Sequence, residues 1–183
     1  MKKTDLSVYT TGSFSPGAGI VKRTLWYFVN IVFFISPVLP LSHLKVTLLR
    51  MFGAKVGRGV VIKPAVNIKY PWKLIIGDHT WIGEKAWIDN LNQVSIGSNC
   101  CISQGAMLLC GNHNFKKTSF DLITRPIILE EGAWIGAYSV VCPGITCKSH
   151  SVLTVNSVAT IDMEPYFIYQ GNPAVKTKER KIE

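Results

Sequence analysis

From Val56 onward an aliphatic residue recurs every six positions, and this period constrains the fold more than any other feature of the chain. The series runs Val56, Ile62, Ile68, Leu74. After a two-residue slip it continues Ile76, Ile82, Ile88, Val94, and after a second slip Ile96, Ile102, Leu108. Beyond an interruption it resumes at Leu129, Ile135, Val141, Cys147, Leu153 and Ala159. A helix, at 3.6 residues per turn, would scatter these side chains around its circumference. A small residue stands two before many of them: Thr80, Ala86, Cys100, Ala106, Ala133, Ser139, Ser151, Ser157. Strand side chains alternate faces, so both members of each pair point inward and the residue between them points out. Three hexads then close one triangular turn of about 18 residues, and stacked turns bury a continuous aliphatic column. The outward positions are Val61, Trp81, Trp87, Cys101, Met107, Trp134, Val140, Val152 and Val158. Apolar stripes of that size predict contacts between subunits.

The first 55 residues have a different character. A polar start through Gly19, with a Gly- and Ser-rich loop at 11–19, predicts neither a secretory leader nor a phosphate loop. Leu25 to Ile35 is a dense apolar run of eleven residues, ended by Ser36-Pro37. A membrane-spanning helix needs roughly 20. Leu41, Leu44, Leu48 and Phe52 follow at helical spacing, with His43, Lys45 and Arg50 elsewhere on the wheel. Two helices are expected, packed on their own domain or on a second subunit. The alternative is an interfacial anchor in which the aromatics enter a bilayer boundary while Lys22, Arg23, Lys45 and Arg50 meet lipid phosphates.

Charge sharpens that alternative. The net charge is +9, yet residues 1–73 hold 11 bases and one acid, while residues 74–183 hold nine bases and ten acids. The excess is N-terminal, so a uniformly basic nucleic-acid surface is excluded as the first picture. Five cysteines, with no C-x-x-C pair, predict a reducing compartment, no disulfide framework and no zinc site.

The hexads break between Leu108 and Leu129, and loops pushed out of a rigid scaffold are where sites collect. His113 stands at the root of the inserted stretch, 109–128, beside Gly111. A general base at neutral pH and an ordinary loop histidine are both open readings from the residue alone.

Several segments carry a family resemblance in the right order. They are Phe52-Gly53-Ala54-Lys55-Val56-Gly57, Tyr70-Pro71-Trp72-Lys73-Leu74, Cys101-Ile102-Ser103-Gln104-Gly105, Gly111-Asn112-His113, Ala133-Trp134-Ile135-Gly136-Ala137, Pro143-Gly144-Ile145-Thr146 and Gly171-Asn172-Pro173-Ala174. The chain resembles the hexapeptide-repeat O-acetyltransferases of the maltose/galactoside type, in the branch of exopolysaccharide and colanic-acid synthesis. The resemblance implies an all-β fold, a left-handed parallel β-helix over 56–183, with residues 1–55 as an N-terminal loop and helical segment. It implies a homotrimer that binds acetyl-coenzyme A between neighbouring prisms and acetylates a hydroxyl of a glycan, free or linked to lipid or nucleotide. His113 would take the proton of that hydroxyl, and the alkoxide would attack the thioester directly, with no metal and no acyl-enzyme. The resemblance places Asp89, Asn90, Asn112 and Asn114 on the acceptor side. It places Trp134 and Ala137 along the thioester arm, and Asn172 and Pro173 in a C-terminal coenzyme segment followed by the cations Lys176, Lys178 and Arg180. Departures are Val175 after Pro-Ala where a base is usual, Asn114 where Asp is usual beside the histidine, and Lys148 and Thr154 where Gly is usual.

Two other readings of the same fold stand beside this one. A non-catalytic β-helix assembly subunit would need neither the His113 loop nor the Gly-Asn-Pro-Ala tail. A zinc carbonic anhydrase would gather three histidines from His43, His79, His113 and His150, but the chain lacks that family's close pair. The expected location is the cytoplasm, with peripheral contact at the inner face of an anionic membrane.

Overall fold

The computed structural model describes residues 3–183. Three parallel sheets form the sides of a triangular solenoid. The first face stacks Lys55–Val56, Leu74–Ile76, Val94–Ile96, Ile127–Leu129 and Thr146–Cys147. The second stacks Val61–Ile62, Trp81–Ile82, Cys101–Ile102, Trp134–Ile135, Val152–Leu153 and Phe167–Gly171, with Ala174–Glu179 antiparallel at its end. The third stacks Asn67–Ile68, Trp87–Asp89, Met107–Leu109, Val140–Val141 and Val158–Ala159. Register keeps like on like: Val61, Trp81, Cys101, Trp134 and Val152 lie one above another.

The hexad residues from Ile62 to Ala159 are all buried, and so are the small residues two before them. Val56, in the first coil, is only half-buried. The outward positions are at least partly exposed, except Val152, which is 5% exposed. The glycines after the aliphatic positions have a steric reason. A Cβ on Gly136 would sit 2.6 Å from Leu153 O, and one on Gly77 would sit 2.4 Å from Ser98 N. Coil-to-coil backbone contact leaves no room for a side chain there.

The two slips have a place in the fold. Leu74 and Ile76, like Val94 and Ile96, are both inward on one strand of the first face. The extra residues lie just before, in the turns 70–73 and 90–93 that lead from the third face back to the first.

The N-terminal segment closes one end of the prism. Helix α1 (Ile20–Val29) runs into a π-helical turn, Asn30–Ile35, and α2 (Ser42–Met51) follows. Trp26 Nε1 donates to Ile68 O (2.8 Å), and Asn30 Nδ2 donates to Asn67 Oδ1 (2.8 Å). The buried face of α2 is not the expected Leu41–Leu44–Leu48–Phe52 line. Lys45, Val46 and Leu49 are buried, while Leu41 and Leu44 are exposed. Lys45 is 1% exposed and its ammonium donates to Lys63 O (2.8 Å), so it caps the first coil and meets no lipid. The long aliphatic stem lets a lysine pack as a hydrophobe while its tip finds a carbonyl. Arg50 is likewise committed, to Val56 O and Gly57 O. All five cysteines are free, and among the described residues no helix is long and apolar enough to cross a membrane.

Candidate active site

The three edges of the prism carry different chemistry. The edge from the first face to the second holds His79 and His150, both in the left-handed backbone region (φ 56° and 57°). His79 packs against Gly59 and His150 against Gly132, and the His150 ring stacks on Tyr166 with centroids 4.7 Å apart. These two are corner residues. Among the described residues no three His, Cys, Asp or Glu side chains gather as a metal site.

The edge from the third face to the first carries His113. Its lower turns are tied together by Asn90, which is fully buried. Asn90 Oδ1 accepts from Tyr70 N (2.9 Å) and Nδ2 donates to Tyr70 O (2.6 Å). The structure thus puts Asn90 inside, holding two turns in register, rather than facing an acceptor. Asp89, just before it, has Lys69 Nζ 2.9 Å from Oδ1. A Cβ on Gly111 would meet Leu91 Cδ1 at 2.7 Å and come within 3.8 Å of Asp89 Oδ2. Glycine therefore lets the inserted segment settle beside Asp89.

The insertion is a β-hairpin, not a plain loop. Gly111–His113 pairs antiparallel with Leu122–Thr124, and His113 lies opposite Leu122. Leu109 already belongs to the third face and Ile127 to the first, so the excursion occupies 110–126. His113 Nδ1 lies 3.1 Å from Phe120 O, and the imidazole stacks on the Phe120 ring at 4.5 Å with planes 8° apart. A carbonyl oxygen only accepts, so this bond places the proton on Nδ1 and leaves the Nε2 lone pair free. Phe120 itself has φ 49°, a strained conformation for a bulky residue, at the turn that brings its carbonyl to the imidazole.

Asn112 is exposed and its Oδ1 accepts the His113 backbone N–H (2.7 Å). Asn114 bonds within the loop, its N–H to Asp121 O and its Oδ1 from Lys116 N, so the orienting partner of the His113 imidazole is Phe120 O. Asp121 steadies the loop through Lys117 (3.0 Å); the Ser119 hydroxyl and the Lys117 ammonium hold its carboxyl below the usual range. Tyr9, from the N-terminal segment, brings its ring 5.9 Å from the imidazole. The same segment is pinned to the hairpin by Asp5 N to Thr118 O and Leu122 N to Thr10 O. Sequence reasoning missed Phe120 and Tyr9. An aromatic in a polar loop was a signal for the first; nothing local marks the second.

The thiol beside this edge is no nucleophile. Burial pushes Cys110 up to about 11, and Cys100 likewise, so both stay protonated near neutrality.

The residues assigned to a coenzyme lie elsewhere. Trp134, on the second face, is 45% exposed and donates from Nε1 to Ser103 Oγ (2.9 Å). A groove of about 310 Å³ follows that side, lined by Trp81, Gly83, Cys101, Ser103 and Gln104 among others. Ala137 sits half-buried on the edge from the second face to the third. Asn172 and Pro173 are exposed at the tip of the terminal hairpin. Lys176 pairs with Glu164 and lies over the Phe167 ring at 3.5 Å. Arg180 Nη1 donates to Gly132 O (2.9 Å) and His150 O (3.1 Å). Lys178 is exposed and has no acidic partner among the described residues. In the triangular cross-section the His113 edge lies opposite the second face. One chain therefore does not bring His113 and Trp134 together.

No protein-family model matches the chain. A protein of Escherichia coli K12, WcaF, assigned by its name to colanic acid biosynthesis as an acetyltransferase, is 34% identical over 176 residues, covering 96% of this chain and 97% of that protein. Galactoside O-acetyltransferase of the same organism is 26% identical over 136 residues, covering 73% of this chain and 67% of its own. A hexapeptide-repeat acetyltransferase from Vibrio cholerae O1 biovar eltor, solved with acetyl-coenzyme A, superposes with a TM-score of 0.80 at 20% identity, over 96% of this chain and 97% of that one.

Proposed function

The chain belongs to the hexapeptide-repeat acetyltransferase family, beside the colanic-acid relative, and on that premise we propose that it acetylates a sugar hydroxyl of a polysaccharide or its precursor, with acetyl-coenzyme A as donor. The observation that carries the reading is the His113 clamp: Nδ1–H on Phe120 O, Nε2 free. A hydroxyl within hydrogen-bond reach of Nε2 gives up its proton there as the oxygen attacks. Acetyl-coenzyme A, the second substrate, supplies an activated thioester carbonyl; the acetyl C–S bond gives way to a C–O bond, and the proton leaves with the thiol. Asp89, Asn112 and Asn114 flank the hairpin on the acceptor side. Trp134, Ala137, Asn172, Pro173 and Lys178 are the residues proposed for the coenzyme, with Lys176 and Arg180 held in place by their own partners.

The site is completed by a second copy. Apolar outward stripes occupy the second face (Trp81, Cys101, Trp134) and the third (Trp87, Met107, Val140, Val158). Setting the second face of one prism against the third face of the next is a head-to-tail contact, and with a 120° turn between copies, the two faces inclined to each other rather than flush, it closes as a trimer. The His113 hairpin borders the third face, so this packing carries it to the neighbour's Trp134.

The helical cap is the surface proposed for contact with an anionic membrane. Val21, Leu25 and Phe28, with Ile20 and Tyr27 beside them, are more than half exposed on α1. Arg23 borders them. Binding to vesicles should require anionic lipid and fade with salt; indifference to both would remove the membrane from the proposal.

His113→Ala tests the reaction. Turnover, read as coenzyme A thiol release dependent on a glycan acceptor, should fall by about 10²–10⁴-fold, the usual worth of a general base. Binding of acetyl-coenzyme A should persist. Near-normal turnover would exclude His113 as the base.

A further inference from the structure

The N-terminal segment does more than touch the hairpin. Trp72 Nε1 donates to Pro16 O (2.6 Å) and Lys73 Nζ donates to Ser15 O (2.6 Å), so residues 5–16 run as a strap from the hairpin to the turn 70–73. Under the strap lies a cavity of about 460 Å³, within the range of small-ligand sites. Its polar wall is Thr11, Ser13, Ser15, Asn92 and Thr124, with Phe14 as an aromatic platform. This mixture of hydroxyls, an amide and one aromatic face suits a sugar ring.

One group in the cavity is out of balance. The Lys73 ammonium has three donors; two are spent on Ser15 O and Leu91 O (2.7 Å). The Phe14 ring at 4.9 Å and the Tyr70 ring at 5.6 Å favour a cation there but do not neutralise it. No carboxylate lines the cavity, and Lys73 forms no ion pair among the described residues. Asp89, on the same edge, is engaged by Lys69. Leu122, which lines the cavity, stands opposite His113 in the hairpin, so the cavity lies beside the base and not over it.

We propose that this cavity binds an anionic sugar unit of the acceptor, its carboxylate or phosphate against Lys73, next to the unit whose hydroxyl meets His113. The inference rests on the acetyl-transfer reading and deepens it: the acceptor is an oligosaccharide with an acidic unit adjoining the acetylated one.

The test is binding alone, without coenzyme, by titration of the full chain with D-glucuronate, D-glucose 1-phosphate and D-glucose at low and high salt. At least one acidic sugar should bind about ten-fold tighter than glucose, the order expected of a charge-assisted pair. Whichever acid it is identifies the anionic group. Among the described residues Ser13 makes no side-chain hydrogen bond, so Ser13→Asp places a carboxylate in the cavity without loosening the strap. It should abolish the preference, and Ser13→Ala should keep it. Lys73→Arg should retain it and Lys73→Gln lose it, with the melting temperature checking the fold. Equal binding of all three sugars, no binding of either acid at tens of millimolar (roughly the weak-affinity limit), or a preference that survives Ser13→Asp would each overturn the proposal. Thiol release from acetyl-coenzyme A with an acceptor is measured separately, so failure of the transfer reading would show there and not in these titrations.

Discussion

A histidine becomes a useful base when one nitrogen is anchored and the other is left open, and here the anchor is a main-chain oxygen. Phe120 O fixes the tautomer of His113, while the Phe120 ring stacks on the imidazole. The side chain that a sequence reader would have paired with the histidine, Asn114, bonds its own loop instead. Burial pushes all five thiols up; Cys100, Cys110 and Cys147 are buried, whereas Cys101 and Cys142 are half-buried. Thiols react as thiolates, so at pH 8 a thiol reagent on native protein should modify Cys142 first, since Cys101 lies in the stripe proposed to pack against a neighbouring copy. Rapid labelling of Cys110, read by mass spectrometry, would contradict its placement. The position of His113 stood out in the sequence because the repeat broke around it, while its proposed role came from the resemblance alone. Its partner did not stand out, since any residue type offers the same carbonyl. Asn90 misled for a related reason: an amide serves a buried turn and a sugar equally well, and only burial separates the two.

Elements obey the repeat more strictly than single residues do. The inward positions were readable because a hexad places them by arithmetic, and the two slips mark the long turns of the edge that bears the site. The stripe on α2 was not readable. Its burial is set by where the first coil offers Lys63 O, and that favours a lysine over the leucine line. Coil spacing makes its own prediction. Gly136→Ala drives a methyl into Leu153 O and Thr154 C, both backbone, and should cost at least about 2 kcal/mol as overpacking. Gly19→Ala, with nothing within 4 Å, should change stability by less than about 1 kcal/mol. Denaturant midpoints of the two variants make the comparison. Similar values would mean that the stacked coils tolerate a side chain at 136.

For the whole molecule, charge and shape point the same way. The basic first 73 residues divide into bases that hold the structure, among them Lys45, Arg50 and Lys73, and exposed ones such as Lys55, Arg58 and Lys63. The total alone does not make this division. The prism sets His113 on one edge and the exposed Trp134 on the opposite face, an arrangement that makes sense when copies pack side by side. On this arrangement transfer is proposed to occur at a site shared between copies. Mixing His113→Ala with Trp134→Ala subunits by co-expression measures it directly. Each variant alone should be nearly inactive. In the mixture, an interface with an intact His113 from one copy and an intact Trp134 from the next should recover roughly a quarter of the wild-type activity, as random head-to-tail pairing gives. A mixture no more active than the two variants measured apart would contradict a shared site.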